Sequence, residues 1–160
     1  RIYSYGAGLG ISYVLPKNII VKTSYNYMDY KVKGDQNNDI RNQLSFQSSN
    51  HQVYVGISGD KVWKGLGFAV DYRWQSDINW ISSFANGTVK SRGVLDANLS
   101  YFIDKIFTQI KVGATNIAGP AYLTNVGGPF IGRTAYVSLT FDQGKIWKAH
   151  HSEVTGAKEF

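Results

Sequence analysis

Apolar and polar residues alternate along most of the chain, and a period of two is typical of β-strands that have two different faces. The alternation predicts seven strands, at about residues 5–13, 19–27, 51–58, 66–75, 95–101, 106–114 and 134–141. In the fourth of these, the residues Leu66, Phe68, Val70, Tyr72 and Trp74 alternate with Gly67, Ala69, Asp71, Arg73 and Gln75. One face collects aliphatic and aromatic side chains, and the other collects glycine, hydroxyl, amide and charged groups. We therefore predict an all-β, antiparallel fold.

The connections between these strands are alternately short and long. Short turns are predicted at residues 16–18, 59–61 and 103–105, and long polar loops at about 28–50, 76–92 and 116–132. Outer-membrane barrels have this asymmetry, with tight periplasmic turns and long extracellular loops. The loop lengths therefore favour a transmembrane β-barrel, with its apolar face toward lipid and its polar face toward the lumen.

A soluble lipocalin-like barrel or a β-sandwich is the alternative, because alternation alone does not tell the inside of a barrel from the outside. In a soluble barrel the apolar face would point inward and charged residues such as Asp71 would lie outside. Aromatic residues near the predicted strand ends favour the membrane interpretation, since aromatic girdles mark membrane interfaces. These residues are Tyr27, Trp74, Tyr101 and Phe141.

The amino-acid composition further narrows the possible classes of protein. The chain of 160 residues has 17 Gly, 11 Tyr, 8 Phe and 4 Trp but only 3 Pro, a balance that suits a β protein with many turns. The absence of Cys removes disulfides and thiolate metal sites. The net charge of +6 comes from scattered residues without a nucleic-acid-binding motif, so we expect no nucleic-acid partner. The sequence has no run of about 18 apolar residues, which a transmembrane helix would need.

The last third of the chain carries a more specific pattern. The segments are Gly93–Tyr101, then Ile110–Ile117 with Gly113-Ala-Thr-Asn116, then Gly132-Arg-Thr-Ala-Tyr-Val-Ser-Leu-Thr-Phe141. Together they resemble the end of TonB-dependent outer-membrane receptors. Tyr72–Gln75, with Gly87-Thr88 and Asp96 beyond it, resembles receptors of the Bacteroidetes type. The resemblance covers about residues 1–142 and is strongest after Gly65.

The resemblance implies a plugged barrel of about 22 strands that actively imports a scarce nutrient. It implies that the protein lies in the bacterial outer membrane. The partners that it implies are membrane lipid, the remaining barrel strands, a plug domain, TonB and a surface lipoprotein. Seven strands would be about the last third of such a barrel. We therefore expect the chain to be the C-terminal part of a larger or split protein, with residues 1–142 in the barrel and 143–160 as a polar extension.

The final predicted strand has the features of a barrel-insertion signal, which in this family alternates apolar residues and ends in an aromatic. Ala135, Val137, Leu139 and Phe141 match that pattern. The family usually ends near Phe141, whereas eighteen residues follow Asp142 here.

Two groups of side chains are candidates for function. Asp71, Arg73, Asp96 and Lys111 are predicted to face the lumen, where they could contact the plug or a passing substrate, or simply pair with one another in a polar wall. Aromatic residues in or beside the long loops could stack on a ligand or pack the loops together. They are Tyr30, Trp80, Phe84, Tyr122 and Phe130.

Neither metal nor catalytic chemistry is expected. Asp35–Asp39 begins like a calcium loop, but Ile40 and Phe46 stand where an EF-hand needs Gly and Glu. His150, His151 and Glu153 in the polar extension could bind a metal, but their spacing is too generic to predict a metal site. Since no nucleophile–base or phosphate-loop arrangement is present, we expect neither an enzyme nor a cofactor.

Three functions remain open on the sequence. The first is part of a TonB-dependent receptor for a ferric chelate, an oligosaccharide or a peptide. The second is a barrel component of a larger outer-membrane assembly with a structural or partner-binding role. The third is a soluble ligand-binding β-barrel.

Overall fold

A computed structural model describes residues 2–32, 48–82 and 85–142. The polar extension at 143–160 and most of the first long loop lie outside the described residues. The strands within the described residues are β1 (Ile2–Leu15), β2 (Ile19–Val32), β3 (His51–Trp63), β4 (Leu66–Gln75), β5 (Ile78–Ile81), β6 (Asn86–Val89), β7 (Arg92–Ile103), β8 (Thr108–Thr115), β9 (Tyr122–Leu123), β10 (Phe130–Ile131) and β11 (Thr134–Phe141).

Seven of these strands form one antiparallel sheet in the order β1-β2-β3-β4-β7-β8-β11. The predicted all-β, antiparallel fold and the seven main strands are confirmed. The remaining strands form two small hairpins, β5–β6 and β9–β10, inside the second and third long connections. Sequence alternation did not reveal them because each of their strands has four residues or fewer.

Short and long connections alternate in the structure as the sequence predicts. The short ones are 16–18, 64–65 and 104–107, and the long ones are 33–50, 76–91 and 116–133. Because each main strand pairs antiparallel with the next, all long connections leave the same end of the sheet. We call this the long-connection end and the opposite one the short-turn end.

The turn predicted at residues 59–61 is wrong. β3 continues to Trp63, the register shifts between Gly59 and Trp63, and Trp63 pairs with Leu66. The turn consists of Lys64 and Gly65, with φ of 45° and 85°. Two-residue hairpin turns favour positive φ at both positions, and the predicted turn residues are absorbed in the irregular part of β3.

β2 extends beyond its predicted end at Tyr27. Residues 28–32 stay in the strand because they pair with the first residues of β1, from Ile2↔Val32 to Gly6↔Met28. Tyr30, predicted as a loop aromatic, therefore lies within β2. Backbone pairing decides the end of this strand, although Asp29 and Lys31 interrupt the apolar pattern of the face they share with Tyr27.

The register places the apolar positions of all seven main strands on one face, since paired residues in antiparallel strands point the same way. This apolar face is open: Val137 is 72% exposed and Leu9 is 68% exposed. Within the described residues the buried apolar side chains are Ile78, Val89 and Val94, none of which lies on the apolar face. Within the described residues, the sheet therefore buries almost none of its apolar face.

Aromatic residues and a histidine border the apolar face at the long-connection end. The Tyr25 hydroxyl lies 2.7 Å from Nδ1 of His51, and the His51 and Tyr27 ring centroids are 5.0 Å apart. The Tyr5 hydroxyl donates to Asp29 at 2.6 Å. Beyond Tyr27, the same face of β2 carries Asp29 and Lys31, so its apolar part on this strand runs from Ile19 to Tyr27.

The two edge strands are β1 and β11. Within the described residues, β1 pairs only with β2 and β11 pairs only with β8. The outer backbone groups of both edges are thus available to further strands. No helix among the described residues has the length and apolar character needed to cross a membrane.

Candidate functional site on the polar face of the sheet

The four predicted lumen-facing charges share the polar face, and three of them lie together. Arg73 forms an ion pair with Asp96, and Asp71 is the register partner of Asp96 on the neighbouring strand. The Tyr54 hydroxyl donates to Asp71 at 2.5 Å. Lys111 lies nearer the short-turn end, opposite Ser100 and Ser138. Asp71 and Asp96 thus each have a partner that offsets the repulsion between neighbouring carboxylates.

A pocket of about 270 Å³ opens on this face toward the long-connection end. Its walls come from β2, β3, β4 and β7, and the β9–β10 hairpin adds Tyr122. The polar side chains that line it are Ser24, Asn26, Gln52, Tyr54, Arg73, Gln75, Arg92 and Tyr122. The pocket combines amide, hydroxyl and guanidinium groups with aromatic surface, which is the mixture that small-molecule sites use to orient a ligand.

Arg92 joins the sheet to the third long connection. Its guanidinium donates to the backbone carbonyl of Leu123 and, at 3.2 Å, to Oε1 of Gln75. It also lies 4.6 Å from the centroid of the Tyr122 ring. Gln75 and Arg92 are register partners on β4 and β7, which explains why their side chains meet.

The amide nitrogen of Gln75 has no hydrogen-bond acceptor for either of its N–H groups among the described residues. This Nε2 atom is buried. Arg92 fixes the orientation of the amide, because flipping it would turn the Nε2 donor toward the guanidinium donor. A buried donor without an acceptor is costly unless water or a ligand satisfies it.

The second and third long connections meet near this end of the polar face. Ile78 and Val89, which pair across the β5–β6 hairpin, are both buried. A Cβ atom at Gly87 would lie 3.3 Å from Val126, so the second and third connections approach each other closely there. Of these two connections, the third contributes Tyr122 to the described lining of the pocket.

Asn116 fixes the start of the third connection. Its side chain is 1% exposed, its backbone is in the left-handed region with φ of 53°, and its Nδ2 donates to the Pro120 carbonyl at 3.0 Å. Its backbone N–H donates to Oδ1 of Asp96 at 2.9 Å. The Gly113–Asn116 motif singled out in the sequence thus ends at a local anchor of the loop.

The predicted loop aromatics do not gather at one site. Trp80 lies half-buried in β5, Tyr122 lies half-buried at the pocket and Phe130 lies exposed in β10. Tyr30 is in β2, and Phe84 lies outside the described residues. Of the four that the structure describes, only Tyr122 lines the pocket described above.

The predicted insertion-signal residues Ala135, Val137, Leu139 and Phe141 all lie on β11, at one edge of the sheet. Their register partners on β8 are Ala114, Val112, Ile110 and Thr108, so they belong to the apolar face. All four are exposed.

Sequence reasoning missed the pocket residues, apart from Arg73 and Tyr122. Alternation had put Gln75 on the polar face, but Arg92 fell in a predicted loop because β7 begins three residues earlier than expected. The signal that could have found the pair is the position of both residues at strand ends. Gln75 is the last residue of β4 and Arg92 is the first of β7, so antiparallel pairing places them side by side.

In the described part of the chain, no three His, Asp or Glu side chains come together as a metal site would require. His150, His151 and Glu153 lie outside that part, as does the loop at Asp35–Asp39. No protein-family model matches the sequence, and no curated protein matches it significantly.

Proposed function

We propose that the chain is part of the barrel of a TonB-dependent outer-membrane receptor that imports a scarce nutrient. The observation that carries the proposal is the open apolar face of a seven-stranded antiparallel sheet whose long connections all leave one end. Lipid covers such a face in an outer-membrane barrel, while the polar face lines the lumen.

The dimensions of the apolar face support a membrane-spanning role. On β2 it runs from Ile19 to Tyr27, and this length matches that of a transmembrane strand, which has about 9–11 residues. Tyr25, Tyr27 and His51 border it at the long-connection end, where an aromatic girdle would meet the outer interface.

The open edges of the sheet support a barrel larger than this chain. Unpaired N–H and C=O groups are not tolerated in the hydrocarbon region, so further strands must pair with β1 and β11. The resemblance of residues 93–141 to TonB-dependent receptors makes a receptor the favoured source of those strands. In a soluble ligand-binding barrel, by contrast, the apolar face would be enclosed.

The test of location uses two neighbouring positions on β7 in the complete protein that carries this chain. Leu99 lies on the apolar face and Asn98 on the polar face. Leu99→Arg should abolish assembly in the outer-membrane fraction, because an arginine facing lipid costs about 2–4 kcal/mol. Asn98→Arg should still assemble. Recovery of both variants and the parent in the soluble fraction would overturn the membrane assignment.

The test of transport compares nutrient uptake in three strains: the parent, one lacking this gene and one lacking TonB. The proposal predicts that uptake of at least one ferric chelate, oligosaccharide or peptide is lost in both mutants. If the protein assembles in the outer membrane but its loss changes no TonB-dependent uptake, the structural role within a larger assembly replaces the receptor.

A further inference from the structure

The polar-face pocket has an excess of positive charge. Its described lining contains two guanidinium groups, from Arg73 and Arg92, and no carboxylate. Arg73 is paired with Asp96, whereas the partners of Arg92 are the Leu123 carbonyl, the Gln75 amide and the Tyr122 ring, all uncharged. One positive charge in the pocket therefore lacks a countercharge among the described residues.

The pocket also has an excess of hydrogen-bond donors. Arg92 carries five N–H groups, of which two N–H···O bonds to Gln75 and Leu123 are described. Gln75 Nε2, next to it, has no acceptor. A ligand that fits this arrangement must supply acceptors and negative charge. A carboxylate does both, and its two oxygens suit the planar guanidinium.

We propose that this pocket binds a carboxylate group of the imported nutrient, with Arg92 and Gln75 as donors and Tyr122 as an aromatic wall. This rests on the proposed receptor function and narrows its substrate to an acidic molecule. A ferric polycarboxylate chelate and an acidic oligosaccharide both present the required group. A neutral sugar lacks the charge that Arg92 would balance.

Two variants separate ligand binding from folding. Gln75→Glu keeps the size of the side chain and gives Arg92 a carboxylate partner within the protein. The thermal midpoint of unfolding should therefore stay equal or rise. The charge of Arg92 would no longer be free to bind the carboxylate of a ligand. Arg92→Gln removes the charge but also weakens the link to Leu123. Lys111→Gln is the control, because it removes one positive charge from the same face outside this pocket.

The experiment measures binding to the complete protein, purified in detergent micelles, by calorimetry. One arm uses ferric citrate and citrate, with trimethyl citrate as the neutral control. The other uses trigalacturonate, with its methyl ester as the neutral control. The free acid of at least one arm should bind about tenfold or more tightly than its ester, as expected for a charge-assisted hydrogen bond. The arm that binds identifies the source of the carboxylate.

Gln75→Glu and Arg92→Gln should each weaken that binding by about tenfold or more, and Lys111→Gln by less than about threefold. The inference is overturned if no acid binds below about 10 mM, if acid and ester bind equally, or if Lys111→Gln costs as much as Arg92→Gln. A protein that assembles in the outer membrane and imports a neutral nutrient would contradict this inference alone. A protein absent from the outer membrane would contradict the receptor function itself.

Discussion

Single residues have their clearest effect where a strand gives way to a turn or a connection, rather than in the middle of a strand. Gly65 is one example: with φ of 85° it closes the β3–β4 hairpin, and a Cβ atom there would lie 2.6 Å from the Phe102 carbonyl oxygen. Asp96 is another, because it holds Arg73 through one oxygen and the start of the third connection through the other. Each of these positions joins two segments that are distant in sequence.

Gly65→Ala should destabilise the assembled protein by about 1–3 kcal/mol, since it combines backbone strain with a clash against a backbone atom. Gly132→Ala is the matched control, because nothing lies within 4 Å of a Cβ atom at that position. Urea unfolding of the protein in micelles measures both. Equal stability of the two variants would remove the proposed constraint at the turn.

Asp96→Ala should cost more than Arg73→Ala. The Arg73 side chain is 58% exposed, so its ion pair alone contributes at most about 1 kcal/mol. Asp96 also accepts the Asn116 N–H, and leaving that buried donor unpaired adds about 1–3 kcal/mol. The same unfolding measurement gives the order, and a larger loss for Arg73→Ala would show that the loop anchor is unimportant.

At the scale of elements, the sequence predicted the seven strands of the main sheet, their faces and the alternation of connections. These follow from the period of two, by which apolar and polar residues alternate between the two faces of each main strand. It failed where a partner strand decides: β2 runs on through Asp29 because β1 is there to pair with it. It also failed at the pocket, which depends on the meeting of Gln75 with Arg92 across two strands and on a loop folding back over them.

β11 has the bounds that the sequence predicts, Thr134–Phe141. Under the proposed receptor function, Phe141→Ala should lower the amount of assembled protein several-fold, because the insertion machinery would recognise this exposed aromatic ring at the end of the strand. Phe130→Ala is the control, because that phenylalanine is 70% exposed in β10, outside the seven-stranded sheet. Heat-modifiable mobility of outer-membrane fractions measures assembly. Equal yields from both variants would argue against an insertion signal in β11.

For the whole molecule, the defining property is a sheet with two unlike faces, whose two edge strands each pair on one side only among the described residues. Its polar face carries the Arg73–Asp96 pair and the pocket, while no large apolar side chain on its apolar face is buried within the described part of the chain. A soluble protein with this sheet would need another layer over the apolar side. In an outer-membrane barrel, lipid provides that cover and neighbouring strands provide the edges.

The most direct test of this account is the environment of alternate residues along β7 in the complete protein within lipid bilayers. This chain contains no cysteine. Once any cysteine elsewhere in the complete protein is replaced, single-cysteine variants each carry one nitroxide label. Labels at 95, 97, 99 and 101 should collide with lipid-soluble oxygen, and labels at 96, 98 and 100 should not. A water-soluble nickel chelate should show the opposite alternation or no access. Labels at 97 and 99 that avoid oxygen and meet the chelate, or that are shielded from both, would contradict the claim that the apolar face contacts lipid.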